Sequence, residues 1–107
     1  MGTGEIEKLL KANKDTIVIV DEAYVDFGAE SCIPLVDKYD NLLVVQTFSK
    51  SRAMAGMRIG FAIGCKKLIK YMLDAKFSFN SYTMNYPSLK LGVASVKDDK
   101  YFKEIVQ

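Results

Sequence analysis

Thr16-Ile17-Val18-Ile19-Val20-Asp21-Glu22-Ala23-Tyr24 and Leu42-Leu43-Val44-Val45-Gln46-Thr47-Phe48-Ser49-Lys50 set the architecture of this 107-residue chain. Each begins as an unbroken apolar run with no polar alternation, the pattern of a strand covered on both faces. The expected strands are Thr16 to Val20 and Leu42 to Gln46. About 20 residues lie between them, enough for a crossover, so they are expected to be parallel neighbours in a right-handed βαβ unit. Within that connection Ser31 is a natural N-cap, predicting a short helix through about Lys38 with Pro34 tolerated in its first turn.

The rest follows outward from this pair. Glu5 to Ala12 places Ile6, Leu9 and Leu10 at helical spacing, and Asn13-Lys14-Asp15 breaks it. Only Ser51 to Gly56 separate Lys50 from the strand-like stretch Met57 to Ile63, too short for a crossover. That third strand is therefore expected to run antiparallel to the second, with Gly64 ending it. Lys66 to Phe77 reads as a helix, with Leu68, Ile69, Met72 and Leu73 on one stripe. Tyr86 to Lys97 reads as another, with Pro87 in its first turn, and Tyr101 to Val106 as the start of a further one. The expected fold is α/β: a mixed, mostly parallel sheet with flanking helices.

Composition bounds the chemistry. The net charge is +2 and the lysines are scattered, which argues against nucleic acid or an acidic membrane as partner. No apolar segment approaches the roughly 20 residues a bilayer span needs, and no signal peptide is visible, so cytosol is the expected compartment. Cys32 and Cys65 are too few for a disulfide framework and lack metal spacing, and read as structural thiols. The chain has no histidine, so a Ser-His-Asp triad or histidine acid–base catalysis within it is excluded, and no metal site is expected. Its chemistry must come from Lys, Asp/Glu, Tyr, Ser/Thr and Arg. Hydrophobic residues make up 50% of the sequence, which implies apolar surface meant to be covered by something else.

In an open α/β sheet, ligands bind beyond the carboxyl ends of the parallel strands. Asp21 and Lys50 each stand at that position on their own strand. Lys50 has hydroxyls just before it and the Arg58 guanidinium eight positions after it. These groups can hold a phosphorylated aldehyde and form a Schiff base with it. Asp21 and Tyr24 add an acid and a phenol at the other strand end. Together they read as half of a pyridoxal-phosphate site.

Asp21-Glu22-Ala23-Tyr24-Val25-Asp26-Phe27, then Thr47-Phe48-Ser49-Lys50, then Ala55-Gly56-Met57-Arg58-Ile59-Gly60-Phe61 resemble histidinol-phosphate aminotransferase, within the fold type I pyridoxal-phosphate enzymes. The resemblance extends through Asn80-Ser81-Tyr82 and the helices beyond. It implies that Lys50 forms the Schiff base with pyridoxal 5′-phosphate and then acts as the base moving a proton at the substrate's Cα. By the same resemblance Asp21 pairs with the pyridine nitrogen, Tyr24 bonds the ring's 3′-oxygen, and Arg58 with Ser49 and Thr47 clamps the phosphate. Glu22 and Asp26 fall between these positions and are read as structural. The implied reaction exchanges an amino group between histidinol phosphate and 2-oxoglutarate in histidine biosynthesis, in a homodimeric parent.

Members of that family are considerably longer. The resemblance puts a phosphate-binding glycine turn and a ring-stacking residue upstream, and a carboxylate-reading arginine downstream. Met1-Gly2-Thr3-Gly4 looks like the remnant of an Asn-Pro-Thr-Gly segment. The expectation is therefore that residues 1–107 are part of a pyridoxal-phosphate-binding large domain, truncated at both ends and inactive alone. Three rival readings compete. A Walker B strand at Ile17 to Ala23 lacks its phosphate loop and leaves Lys50 and Arg58 unexplained. A non-catalytic α/β interaction module would leave pyridoxal phosphate unbound. Other fold type I enzymes, acting on aromatic amino acids or decarboxylating threonine phosphate, share similar motifs.

Overall fold

The computed structural model describes residues 1–107. Helix α1 (Thr3–Ala12) leads into strand β1 (Val18–Asp21), and strands β2 (Leu42–Thr47) and β3 (Gly60–Gly64) follow. Helices α2 (Lys66–Phe79), α3 (Tyr86–Lys97) and α4 (Asp99–Val106) complete the chain. The sheet order is β1-β2-β3, with β1 parallel to β2 and β3 antiparallel to it. The mixed sheet expected from the connection lengths is thus observed.

Strand β2 is central because its run is the most apolar, and Leu42, Leu43 and Val44 are all buried. Ile6 and Leu10 of α1 pack with Leu42, Val44 and Cys32 into one cluster, with Val18 and Val20 at its margin. Strand alternation turns Ile17 and Ile19 the other way, where they are 51% and 62% exposed. The run expected to be covered on both faces is therefore covered here on one.

Polar ties lock α1 to the sheet. Asn41 Nδ2 lies within hydrogen-bond distance of the carbonyls of Leu10, Asn13 and Thr16, closing the α1–β1 connection from the head of β2. The Tyr39 hydroxyl donates to Glu7 Oε1 at 2.6 Å. That bond, with the Lys11 ammonium next to it, holds the Glu7 carboxyl below its ordinary pKa.

Two local expectations are corrected. Ser31 does cap the chain, accepting from Ile33 N at 3.1 Å, but no α-helix follows. A 3₁₀ turn at Ile33–Leu35 and further turns occupy the connection. The bonds of that 3₁₀ turn run i to i+3 (Leu35 N to Cys32 O, Val36 N to Ile33 O), the tighter geometry used in short pieces. The third strand, expected from Met57, starts only at Gly60. Ala55–Met57 form a 3₁₀ turn and Arg58 adopts φ 55°, which turns the chain before it can pair.

The molecule is a slab of 40 × 38 × 18 Å with a radius of gyration of 15.2 Å. A compact domain of this length would have about 13 Å. Its accessible surface is 7736 Å², against about 6,000 Å² expected of a compact monomer of this size. Ile17, Ile19, Tyr71, Met72, Leu73 and Phe77 are among the large apolar side chains left in the open. No helix is long and apolar enough to cross a membrane.

Burial this uneven gives a clear mutational contrast. Leu10→Ala, at 0% exposure, should cost about 2–5 kcal/mol. Ile19→Ala, on the open face, should stay within about 0.5 kcal/mol of the parent chain. Urea unfolding followed by circular dichroism measures both; equal losses would mean that α1 does not build the core.

Candidate active site at the carboxyl edge of the parallel pair

The β1–β2 register sets Asp21 opposite Val45, so both strands deliver their following loops to one edge. Glu22 N donates to Val45 O at 2.9 Å, the last rung before the chain leaves the sheet. Asp21 Oδ1 accepts from Ala23 N at 3.0 Å and bends the loop there. Alternation then sends Asp21 outward and Glu22 inward. Buried Glu22 accepts from Ser31 Oγ (2.7 Å), Cys32 N (2.5 Å) and Gln46 Nε2 (2.9 Å). Three donors satisfy a carboxylate that burial would otherwise penalise. Burial first, and then the negative Glu22 beside it, push the Cys32 thiol above its ordinary pKa. A thiol held neutral in this way is a poor nucleophile, as expected of a structural cysteine.

Tyr24 precedes the 3₁₀ turn Val25–Phe27, which ends at Gly28 with φ 96°, a conformation that favours glycine. The turn packs Phe27 against the Tyr24 ring at 6.2 Å between centroids. From the other strand, Lys50 Nζ sits 5.2 Å from the centroid of that same ring, within cation–π range. The Lys50 amine is in no salt bridge and is open to solvent.

Behind it, Thr47 Oγ1 accepts from Ser49 N at 3.1 Å and lies 3.0 Å from Ser49 Oγ and 3.3 Å from Ile59 O. The two hydroxyls thus face each other across one residue. Arg58 stands apart from them, its Nη1 donating at 3.2 Å to Ala55 O. It is one of two non-glycine residues with positive φ, the other being Ala53 at 53°. Such strain costs about 1–3 kcal/mol per residue and clusters at functional sites.

Of the six residues expected here, then, Tyr24 meets Lys50 and Thr47 meets Ser49. Asp21 shares the edge without bonding either pair, and the Arg58 guanidinium reaches neither hydroxyl. No three His, Cys, Asp or Glu side chains gather to hold a metal ion. The donor set does fit a phosphorylated aldehyde with a basic ring: a free primary amine, a phenol, an outward carboxylate, two hydroxyls and a guanidinium bound only to one backbone oxygen.

Asp26, read from the sequence as structural, has Ser51, to which the sequence assigns no role, as its partner. Ser51 is 2% exposed and its Oγ donates to Asp26 Oδ2, joining the two loops that carry Tyr24 and Lys50. Their nearness to those residues in sequence was the one available signal; the bond across 25 positions was not.

Histidinol-phosphate aminotransferase of Lactococcus lactis subsp. cremoris (strain SK11) is 54% identical over 102 residues, 95% of this chain and 29% of that protein. The chain therefore spans less than a third of that curated relative. The crystal structure of the histidinol-phosphate aminotransferase from Clostridium acetobutylicum superposes with a TM-score of 0.84 at 24% identity, covering 99% of this chain and 32% of that one. The enzyme from Sinorhizobium meliloti, in complex with pyridoxal-5′-phosphate, gives 0.79 at 24% identity, over 94% of this chain and 28% of that one. These two likenesses concern the fold. A family model described as aminotransferase class I and II matches residues 3–107, nearly the whole length that carries this edge: the chain belongs to the class I and II aminotransferases.

Proposed function

We propose that residues 1–107 are the cofactor-binding part of a longer pyridoxal-phosphate-dependent histidinol-phosphate aminotransferase. In this reading they form an incomplete large domain, continued on both sides in the parent. The meeting of the Lys50 amine with the Tyr24 phenol, on the edge that also carries Asp21, is the observation that supports it most. The 54% identity to a protein of that name supports the choice of histidinol phosphate and 2-oxoglutarate as the exchanging pair. A homodimeric, cytoplasmic parent accords with the same reading.

When bound, pyridoxal phosphate supplies a conjugated ring that takes up the electron pair left at the substrate's Cα. Lys50 Nζ would be the group that holds the cofactor's aldehyde carbon, and its free amine would serve as the base that takes and returns the substrate's Cα proton. The Asp21 carboxylate would oppose the charge of a protonated ring nitrogen and so hold the proton there. Tyr24 would donate a hydrogen bond from its phenol to the ring's 3′-oxygen. Ser49 and Thr47 offer hydroxyls, and Arg58 a charge-assisted pair, to the phosphate oxygens.

Borohydride reduction after adding pyridoxal phosphate, followed by peptide mapping, should put the pyridoxyl label on Lys50. Label spread over Lys66, Lys67 and Lys70, or unchanged in Lys50→Ala, would remove Lys50 from the site.

In the full-length parent, Asp21→Asn should lose most turnover while retaining cofactor, because a neutral amide cannot stabilise a ring cation. Arg58→Ala should instead weaken cofactor retention about ten- to a hundredfold, the range of a charged hydrogen bond. Steady-state kinetics and cofactor dialysis separate the two; near-normal turnover in Asp21→Asn would take Asp21 out of the mechanism.

The isolated 107-residue chain should self-associate and show negligible transaminase activity. Its outer strands offer unpaired edges, and apolar patches beyond a few hundred Å² are rare on monomers. Light scattering across a concentration series should show mass rising with concentration. A constant monomer mass would mean that the exposed apolar face needs no cover.

A further inference from the structure

Lys50 is solvent-exposed, and its amine is in no salt bridge and lies 5.2 Å from the Tyr24 ring centroid, yet a reacting amine must be held in place. Two contacts anchor the residues next to it. Arg52 Nη1 donates to Ser95 O at 2.8 Å and its guanidinium stacks 3.9 Å from the Phe102 ring, fixing that side to α3 and α4. Ser51 Oγ donates to Asp26 Oδ2, fixing the residue directly after Lys50 to the turn that follows Tyr24. Packing does not replace this second bond. Asp26 and Ser51 border a cavity of about 230 Å³ that Thr47, Phe48 and Arg52 also line. Without the bond the Lys50 segment has room to shift.

Resting on the proposed role of Lys50, we infer that Asp26 and Ser51 are positioning residues: their hydrogen bond sets the Lys50 amine against Tyr24. The two contacts run side by side between the same loops. Lys50 meets Tyr24, and Ser51, the next residue, meets Asp26, two residues beyond Tyr24. One pair is reactive and open to solvent; the other has its hydroxyl buried and fixes the spacing. Asp26 acts through its acceptor oxygen, so an amide at this position keeps the bond and a methyl group loses it. Neither residue touches the reacting atoms.

The test uses the full-length parent and pyridoxal phosphate itself, reading the rate of borohydride-trapped label at Lys50 and the visible circular dichroism of the bound cofactor. Asp26→Ala and Ser51→Ala should each slow labelling of Lys50 about tenfold and weaken the visible band. The double variant should be no worse than either single, since both remove one bond. Asp26→Asn should label and absorb like the parent, a rescue that a role in folding alone would not separate from the alanine change. Asp26 lies at the surface, so Asp26→Ala carries the test even where Ser51→Ala does not fold. Parent-like labelling and dichroism in Asp26→Ala, or additive losses in the double variant, would overturn the positioning role. Failure of the unsubstituted parent to label Lys50 would instead overturn the proposed function on which it rests.

Discussion

The parallel pairing of β1 with β2, in the register Val20 opposite Val44 and Asp21 opposite Val45, is the constraint on which everything else hangs. Side chains alternate along a strand, so a slip of one residue would exchange the faces of every side chain in β1. Val18 and Val20 would leave the α1 cluster, and Asp21 would turn inward to where Glu22 now sits. The core and the candidate site are therefore secured by one register. Glu22 reinforces it by accepting from Gln46 on β2 and from Ser31 and Cys32 in the crossover. The role read for it as structural is the one it plays.

The same edge illustrates a division of labour among neighbouring residues. Buried polar groups (Glu22, Ser51, Ser88) hold the loops, each with a partner, and no buried side-chain donor or acceptor is left unmatched. Ser88 Oγ donates to Met57 O at 2.8 Å, pinning the strained turn before Arg58 to the first turn of α3. Gly92, one helical turn further, lets Ile59 and Phe48 approach closely: a Cβ there would meet Ile59 Cδ1 at 3.1 Å. The groups suited to chemistry, Asp21, Tyr24, Lys50 and Arg58, stay exposed. Rigidity is supplied from below, and reactivity is left on top.

The large accessible surface belongs to the same picture. The helices cover β2 but leave β1's second face and much of α2 in the open. The apolar composition noted in the sequence has its physical location there, on surfaces that this chain does not cover for itself.

What the sequence by itself determined is whatever depends on local pattern. The two unbroken apolar runs are strands, a long connection makes them parallel, a short one turns the third back, and four helical stripes are helices. The residues following each apolar run, Asp21 and Lys50, had to lie at a carboxyl edge. Only the tertiary structure decided what depends on distance in space between segments far apart in the chain. It set the register, the departure of Ser31 to Lys38 from an α-helix, the late start of β3 after Arg58's positive φ, and the Asp26–Ser51 bond. The reason is physical: backbone periodicity is settled over a few residues, whereas a hydrogen bond between loops 25 positions apart forms only after both strands have been placed.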